Sequence, residues 1–131
     1  YRLKPSLLVN NSEKQFFSML LQYVPRSYLV QTKTRLEDVI GVKTHIKGKE
    51  AYGFRGRVKS RHIDFLIISP DGRPVLAIEL DGKSHNPNKL TNADQLKNGI
   101  FATVGLPFLR VRVGTDYNYH LQEILRVLNS P

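Results

Sequence analysis

Apolar residues recur at helical spacing in the first part of the chain. Asn10 and Glu13 fit a capping box, which predicts that a helix begins there. The apolar positions that follow lie on one helix face: Phe16, Phe17, Leu20, Leu21 and Val24. Residues 28–34 are typical of a short strand, and residues 36–40 indicate a turn or a brief helix after it.

The second half of the chain alternates strand and helix patterns. Two β-rich runs, 63–68 and 74–80, flank Asp71 and Gly72, and Asp-Gly between such runs is a strong hairpin signal. The later patterns predict a helix at 92–104, a strand at 107–113 and an amphipathic helix at 118–128. The predicted order is α-β-β-β-α-β-α, which indicates the α/β class, as an α+β sandwich.

Length and composition are those of one folded domain. The 131 residues fit a single unit, 1–131, with 40% hydrophobic and 24% charged residues. Residues 41–60 are rich in Gly, Lys and Arg and are predicted to form a basic loop. Because the first residue is Tyr1 rather than Met, we allow for a fragment of a longer protein with flanking domains.

The charge balance restricts the partners. Twenty Lys and Arg against 11 Asp and Glu give a net charge of +9, which favours nucleic acid over an anionic membrane surface. The absence of cysteine excludes disulfides, thiolate metal sites and cysteine nucleophiles, so a metal ion would need oxygen or imidazole ligands. No apolar run approaches the ~20 residues of a membrane span and no signal-peptide pattern opens the chain, so we expect a cytoplasmic protein.

Two acids are predicted to face each other across the hairpin. If the turn is symmetric, with Pro70 paired to Arg73, Asp64 lies directly opposite Glu79. Strand alternation adds Asp81 to the face of Glu79. Opposed like charges are destabilising unless a raised pKa, a neighbouring Lys or Arg, or a bound cation compensates. Three acids at the end of two buried strands favour a Mg²⁺ or Mn²⁺ site over acids that are paired at a solvated edge.

Several short motifs, in their order along the chain, resemble the PD-(D/E)XK nuclease superfamily. They are His-Ile-Asp-Phe at 62–65, Ile-Glu-Leu-Asp-Gly-Lys-Ser-His at 78–85, Asp94 to Lys97, and Gly-Leu-Pro-Phe-Leu-Arg at 105–110. The likeness is to the very-short-patch-repair-like branch and a related uncharacterised bacterial domain family, and it extends from Asn10 to Arg112. It implies a restriction-endonuclease-like core, with a mixed central sheet flanked by helices.

The resemblance also implies a chemistry and a ligand set. Asp64, Glu79 and the Leu80 carbonyl would bind Mg²⁺ or Mn²⁺, and a metal-activated water would attack the phosphodiester of DNA. The physics agrees, because a divalent ion lowers the pKa of bound water and offsets charge in the in-line transition state. The chain is therefore expected to be a Mg²⁺-dependent (endo)deoxyribonuclease.

One position departs from the superfamily pattern. The lysine usually found two residues after the glutamate is replaced by Asp81. Lys97, on the predicted helix, is the candidate for a relocated lysine, and Lys83 is the alternative. An ordinary surface pair between Asp94 and Lys97 is the competing interpretation.

Two more residues, His85 and Glu13, enter the candidate site through the resemblance, and His62 enters because it lies two residues before Asp64 on the same strand face. His85 is a candidate general acid or base, although a lone loop histidine is more often solvated, and His62 is a weaker candidate. Glu13 matches an acid that often lies beside the site in relatives, and its alternative role is the capping box alone.

Basic residues are the candidates for phosphate contact. Arg55, Arg57, Lys59 and Arg61 alternate with other residues and would form a cationic row along an extended segment. The remaining candidates are Lys83, Arg110 and Arg112. Such contacts give affinity without sequence specificity, and a solvated charged edge is the alternative.

Three functions follow. The first is a nuclease that acts on duplex or nicked DNA, with RNA left open as a substrate and a homodimer as an assembly. The second is a nuclease-like fold that binds nucleic acid without cleaving it, within a larger protein. The third is an RNA-processing or protein-interaction module.

Overall fold

The computed structural model describes residues 1–82 and 91–130, without the side chain of Ala93. Five helices and four strands are formed by these residues. In chain order they are α1 (Asn11–Tyr23), β1 (Leu29–Arg35), α2 (Leu36–Val39), α3 (Gly48–Val58), β2 (His62–Ile68), β3 (Pro74–Asp81), α4 (Asn92–Val104), β4 (Phe108–Arg112) and α5 (Tyr117–Leu128). Among the described helices, none has the length and apolar character needed to cross a membrane.

The four strands form one mixed sheet in the order β1-β2-β3-β4. β1, β2 and β3 are antiparallel neighbours, whereas β4 runs parallel to β3. A parallel pair needs a crossover connection, and α4 lies in that connection. The sheet with its flanking helices is the predicted α+β sandwich.

Each face of the sheet has its own hydrophobic core. On one face, Phe16 of α1 and Ile124 of α5 pack with Phe65 and Ile78 of the sheet. On the other face, side chains of α2, α3 and α4 pack with the sheet; the buried members of this second core are Leu36, Val58, Ile63, Leu66, Ile68, Ala77 and Phe101. Because side chains alternate along a strand, Glu79 follows Ala77 onto the face covered by α4.

The turn of the hairpin differs from the symmetric one that we predicted. Ser69 donates its N–H to the Arg73 carbonyl, and Ile68 lies opposite Pro74, so Pro70 does not pair with Arg73. An irregularity between Ile67 and Ile68 then shifts the register by one residue.

Beyond this irregularity, the register is the one that the symmetric turn predicted. Phe65 lies opposite Ile78, which makes Asp64 and Glu79 the next opposed positions. The two acids therefore face each other, although the turn was assigned wrongly.

The prediction of a basic loop at 41–60 is wrong for much of its length, because α3 occupies Gly48–Val58. Ala51 and Val58 are seven residues apart, on one helix face, and both are buried. That burial stabilises a helix which its glycines disfavour by roughly 1 kcal/mol each in the interior.

The helix also removes the predicted cationic row. Arg55 and Arg57 are two residues apart on α3, so their side chains leave the helix in different directions. Lys59 and Arg61 follow the helix, and Arg61 donates its Nε–H to the Arg57 carbonyl at 2.8 Å. The positive charge is present, but it is distributed around a helix and its C-terminal end.

Candidate active site

Glu79 is a buried carboxylate near the end of β3. Only 6% of the residue is exposed, and Ile78 beside it is fully buried. On β4, its opposed position is Arg110. A carboxylate with so little access to water needs a proton, a cation or several hydrogen bonds to stay in place.

Asp64 is held against Glu79 by the backbone of β3. Its Oδ2 accepts the Leu80 N–H at 2.9 Å, and its side chain hydrogen-bonds to the Glu79 carboxyl. The exposed His62 ring places Nε2 3.5 Å from Asp64 Oδ1. The predicted pair of acids is thus a direct contact between side chains.

Lys97 of α4 supplies the nearby cation. Its ammonium contacts Glu79 Oε1 and donates to the His62 carbonyl at 2.7 Å, and its side chain is 15% exposed. This position fits the relocated lysine that the resemblance implies. Asp94 is engaged elsewhere, because its carboxylate lies 3.0 Å from Arg110 Nη1.

A capping box defines the N-terminal end of α4. Thr91 accepts the Asp94 N–H, and Asp94 accepts the Thr91 N–H, both at 3.1 Å. The cap is Thr91, one residue before the predicted Asn92. The left-handed Gly105, at φ 73°, ends the helix as predicted.

The surroundings of Glu79 change its protonation. Burial, followed by the hydrogen bond to Asp64 and by its charge, raises the pKa of Glu79 to about 8, against the opposing effect of Lys97. The pair therefore holds a proton over much of the neutral range. A divalent cation could take the place of that proton.

Arg110 forms a second ion-pair cluster beside the first. Its Nη1 lies 3.0 Å from Asp94 Oδ1 and 3.7 Å from Asp81 Oδ1, and its side chain is 20% exposed. Asp81 therefore lies next to Arg110, at the edge of the Glu79 site. The ion pair between Asp81 and Arg110 was not predicted, because the parallel register between β3 and β4 cannot be read from either strand alone.

Glu13 lies in the first turn of α1, where it makes one half of the predicted capping box. It donates its N–H to Asn10 Oδ1 at 2.9 Å, and its Oε2 accepts the Val9 N–H at 2.6 Å, so the cap contact is formed. Lys33 lies 3.3 Å from its Oε1. Glu13 also borders a groove of about 400 Å³ at the end of β3, lined by Asn10, Ser12, Glu13, Leu80, Gly82 and Val113.

The remaining candidate residues are not all placed at the site. Arg112 is exposed on β4, and the exposed Arg55, Arg57 and Lys59 belong to the α3 region. Lys83 and His85 lie outside the described residues.

Two carboxylates and a backbone carbonyl suit a hard divalent cation. Mg²⁺ is commonly held by one or two carboxylates and keeps several waters, so Asp64, Glu79 and the Leu80 carbonyl fit this ion. Within 1–82 and 91–130, no three His, Asp or Glu residues are grouped so that they could hold a metal ion. A metal would therefore rest on the acid pair, and it would compete with the Lys97 ammonium.

Comparisons with known proteins match most of the chain. Residues 6–127 match the model of a family described as "Protein of unknown function (DUF2726)". An "Uncharacterized protein" of Haemophilus influenzae is 27% identical over 110 residues, which cover 82% of this chain and 55% of that protein. The chain thus spans about half the length of this curated relative. No solved structure matches the chain.

The raised pKa of Glu79 predicts a pH-dependent stability in metal-free buffer. The folded protein keeps a proton that the unfolded chain loses near pH 4.5, so this contribution is complete below about pH 4.5 and is lost as the pH rises to about 8. Within that window, the free energy of unfolding should fall by up to about 1.4 kcal/mol per pH unit. Urea unfolding measured at several pH values tests this.

The control for this measurement is Glu79→Gln, which cannot titrate at this position. The difference in unfolding free energy between the wild type and this variant should shift in favour of the variant as the pH rises. A difference that stays constant, or that shifts toward the wild type, would contradict the assignment.

Proposed function

The chain belongs to the DUF2726 family, and we propose that it is a metal-dependent deoxyribonuclease of the PD-(D/E)XK type. The observation that carries the proposal is the convergence of Asp64, Glu79 and Lys97, from two strands and a helix, in one buried cluster. A buried acid pair with an adjacent lysine is costly as structure and suits phosphodiester hydrolysis. The net charge of +9 fits a polyanionic substrate.

Each residue has a defined task in this proposal. Asp64 and Glu79, with the Leu80 carbonyl, would hold Mg²⁺ or Mn²⁺. When bound, the ion would lower the pKa of a water, polarise the phosphoryl oxygen and offset negative charge. Lys97, released from Glu79 by the ion, would keep its ammonium beside the scissile phosphate and neutralise part of its charge.

His62 is the described candidate for proton transfer. Its half-exposed ring lies beside Asp64, where it is accessible to a substrate that approaches the acid pair. A protonated imidazole can donate a proton to a leaving oxygen. His85 remains a second candidate, from the sequence alone.

A basic segment leads directly into the strand that carries Asp64. Residues 43–61 contain seven Lys and Arg and a single acid, Glu50. Cations of this kind bind the phosphate backbone without reading its sequence. The segment lies on the face of the sheet that also carries the acid pair, so a bound duplex could reach both.

A non-cleaving nucleic-acid-binding module is the second candidate function. The observation that favours it is the contact between Lys97 and Glu79, which satisfies the carboxylate without any metal. In that case the cluster would be a stabilised buried ion pair, and binding would be independent of Mg²⁺.

Plasmid nicking separates these two functions. With Mg²⁺ or Mn²⁺ present, the wild type should nick supercoiled DNA, and Asp64→Asn or Glu79→Gln should reduce the rate by more than about a hundredfold. Several kcal/mol of transition-state stabilisation would be lost with the metal, and each 1.36 kcal/mol is about tenfold in rate.

Glu37→Gln is the matched control, because it removes one acid of α2 that pairs with Arg35 on the surface. This variant should nick DNA at the wild-type rate. Nicking that survives in Glu79→Gln, or that persists in EDTA, would rule out the proposed site. DNA binding by every protein without nicking by any would favour the second function.

The basic segment predicts the salt dependence of DNA binding. In Arg55→Gln/Lys59→Gln, the slope of log Kobs against log salt should decrease by roughly one for each phosphate contact that is lost. Fluorescence anisotropy over a series of salt concentrations measures this slope.

Arg26→Gln/Arg126→Gln is the matched control for charge. Both arginines are exposed, and they lie near α1 and on α5, on the opposite face of the sheet from α3. The control should leave the slope close to that of the wild type. Equal decreases in the two double variants would show that net charge alone, rather than this segment, determines binding.

A further inference from the structure

We propose that Arg110 is a positioning residue, which holds α4 against the sheet so that the Lys97 ammonium stays on Glu79. Its role in catalysis rests on the proposed nuclease function, whereas its role in positioning does not. In this assignment Asp81 and Asp94 anchor Arg110, and Arg110 itself does not contact the DNA backbone.

The Arg110 guanidinium contacts three residues besides its own strand. It lies 3.0 Å from Asp94 Oδ1, and its Nη2 donates to the Asp94 carbonyl at 3.3 Å. Its Nε and Nη2 donate to Asn98 Oδ1 at 3.4 and 3.2 Å. It lies 3.7 Å from Asp81 Oδ1 and 4.9 Å above the Phe108 ring. Its donors are thus directed into the protein.

These contacts involve residues on both sides of Lys97 along α4. Asp94 lies one turn before Lys97, and Asn98 is the next residue after it. Arg110 itself is the β4 residue opposite Glu79. The Arg110 side chain therefore connects the residues on both sides of Lys97 to the β4 position next to Glu79. This connection sets the separation of α4 from β3.

The same cluster gives a physical reason for the acid at position 81. A lysine there would place a second cation beside Arg110, whereas Asp81 attracts it. Asp81 and Lys97 thus act together, because the acid holds the arginine that anchors the helix carrying the lysine.

Lysine acylation measures this positioning without any cleavage assay. N-hydroxysuccinimidyl acetate would be applied briefly to the folded protein, and the modification of each lysine followed by mass spectrometry. In the wild type, Lys97 should react slowly because it is 15% exposed and contacts Glu79. In Arg110→Met, its rate should rise by about tenfold, the change expected for losing about 1.4 kcal/mol of local hydrogen bonding.

Lys33 is the internal control. It is 27% exposed, pairs with Glu13 and lies on β1, at the other side of the sheet, so a local change at α4 should leave its rate within about twofold. Arg112→Met, which removes the neighbouring exposed arginine of β4, should leave the labelling of Lys97 unchanged.

Arg110→Lys keeps the charge but lacks the planar fork of donors, so Lys97 should be labelled in it at an intermediate rate, faster than in the wild type and slower than in Arg110→Met. If Arg110→Met does not fold, Arg110→Lys is the variant that tests the proposal. Unchanged labelling of Lys97 in Arg110→Met would overturn the proposal. An equal rise in the labelling rates of Lys33 and Lys97 would also overturn it. If only Arg110→Lys folds, a wild-type labelling rate of Lys97 together with a wild-type melting temperature would overturn it.

The kinetics of nicking distinguish positioning from phosphate contact. If the chain is a nuclease, Arg110→Met should lower kcat, whereas KM for DNA should change by less than about twofold. A higher KM with an unchanged kcat would assign Arg110 to the DNA backbone and overturn the proposal. If no protein nicks DNA, the proposed function fails, and the labelling result still decides whether Arg110 positions Lys97.

Discussion

Glu79 is a carboxylate that the sheet buries almost completely, and the structure around it follows from the need to compensate its charge. An isolated buried carboxylate would cost far more than a domain of this size can offset, so it must share a proton or pair with a cation. Asp64 and Lys97 do both. The arrangement keeps two acids and an ammonium together, where a set of well-packed hydrophobic residues would often give equal or greater stability.

Two parts of the fold must be positioned correctly for the charge of Glu79 to be compensated. The register between β2 and β3 brings Asp64 to Glu79, and the docking of α4 brings Lys97. Arg110 connects them, because it extends from the strand beside Glu79 to the first turns of α4. A shift of one residue in either part would remove one of the two partners of the buried Glu79, so the site and the local stability of the fold depend on the same contacts.

Much of this arrangement could be predicted from the sequence. The assumption of a symmetric hairpin predicted the opposition of Asp64 and Glu79 correctly, and the helical pattern placed Lys97 on α4. The turn was assigned wrongly because symmetry cannot reveal an irregularity in the strand. α3 was missed because its glycines mask the helical period, and burial against the second core stabilises it instead. The role of Arg110 depends on a parallel register between strands that are distant in sequence, which no local pattern contains.

The central claim is that this cluster is a cation site, and calorimetric titration with Mn²⁺ tests it most directly. The wild type should bind Mn²⁺ at one site, and Glu79→Gln should lose that binding. Lys97→Met should bind the ion more tightly, because it removes an ammonium that competes for the same carboxylate. Mn²⁺ binding of equal strength in the wild type and Glu79→Gln, or no binding to the wild type or Lys97→Met, would contradict the account.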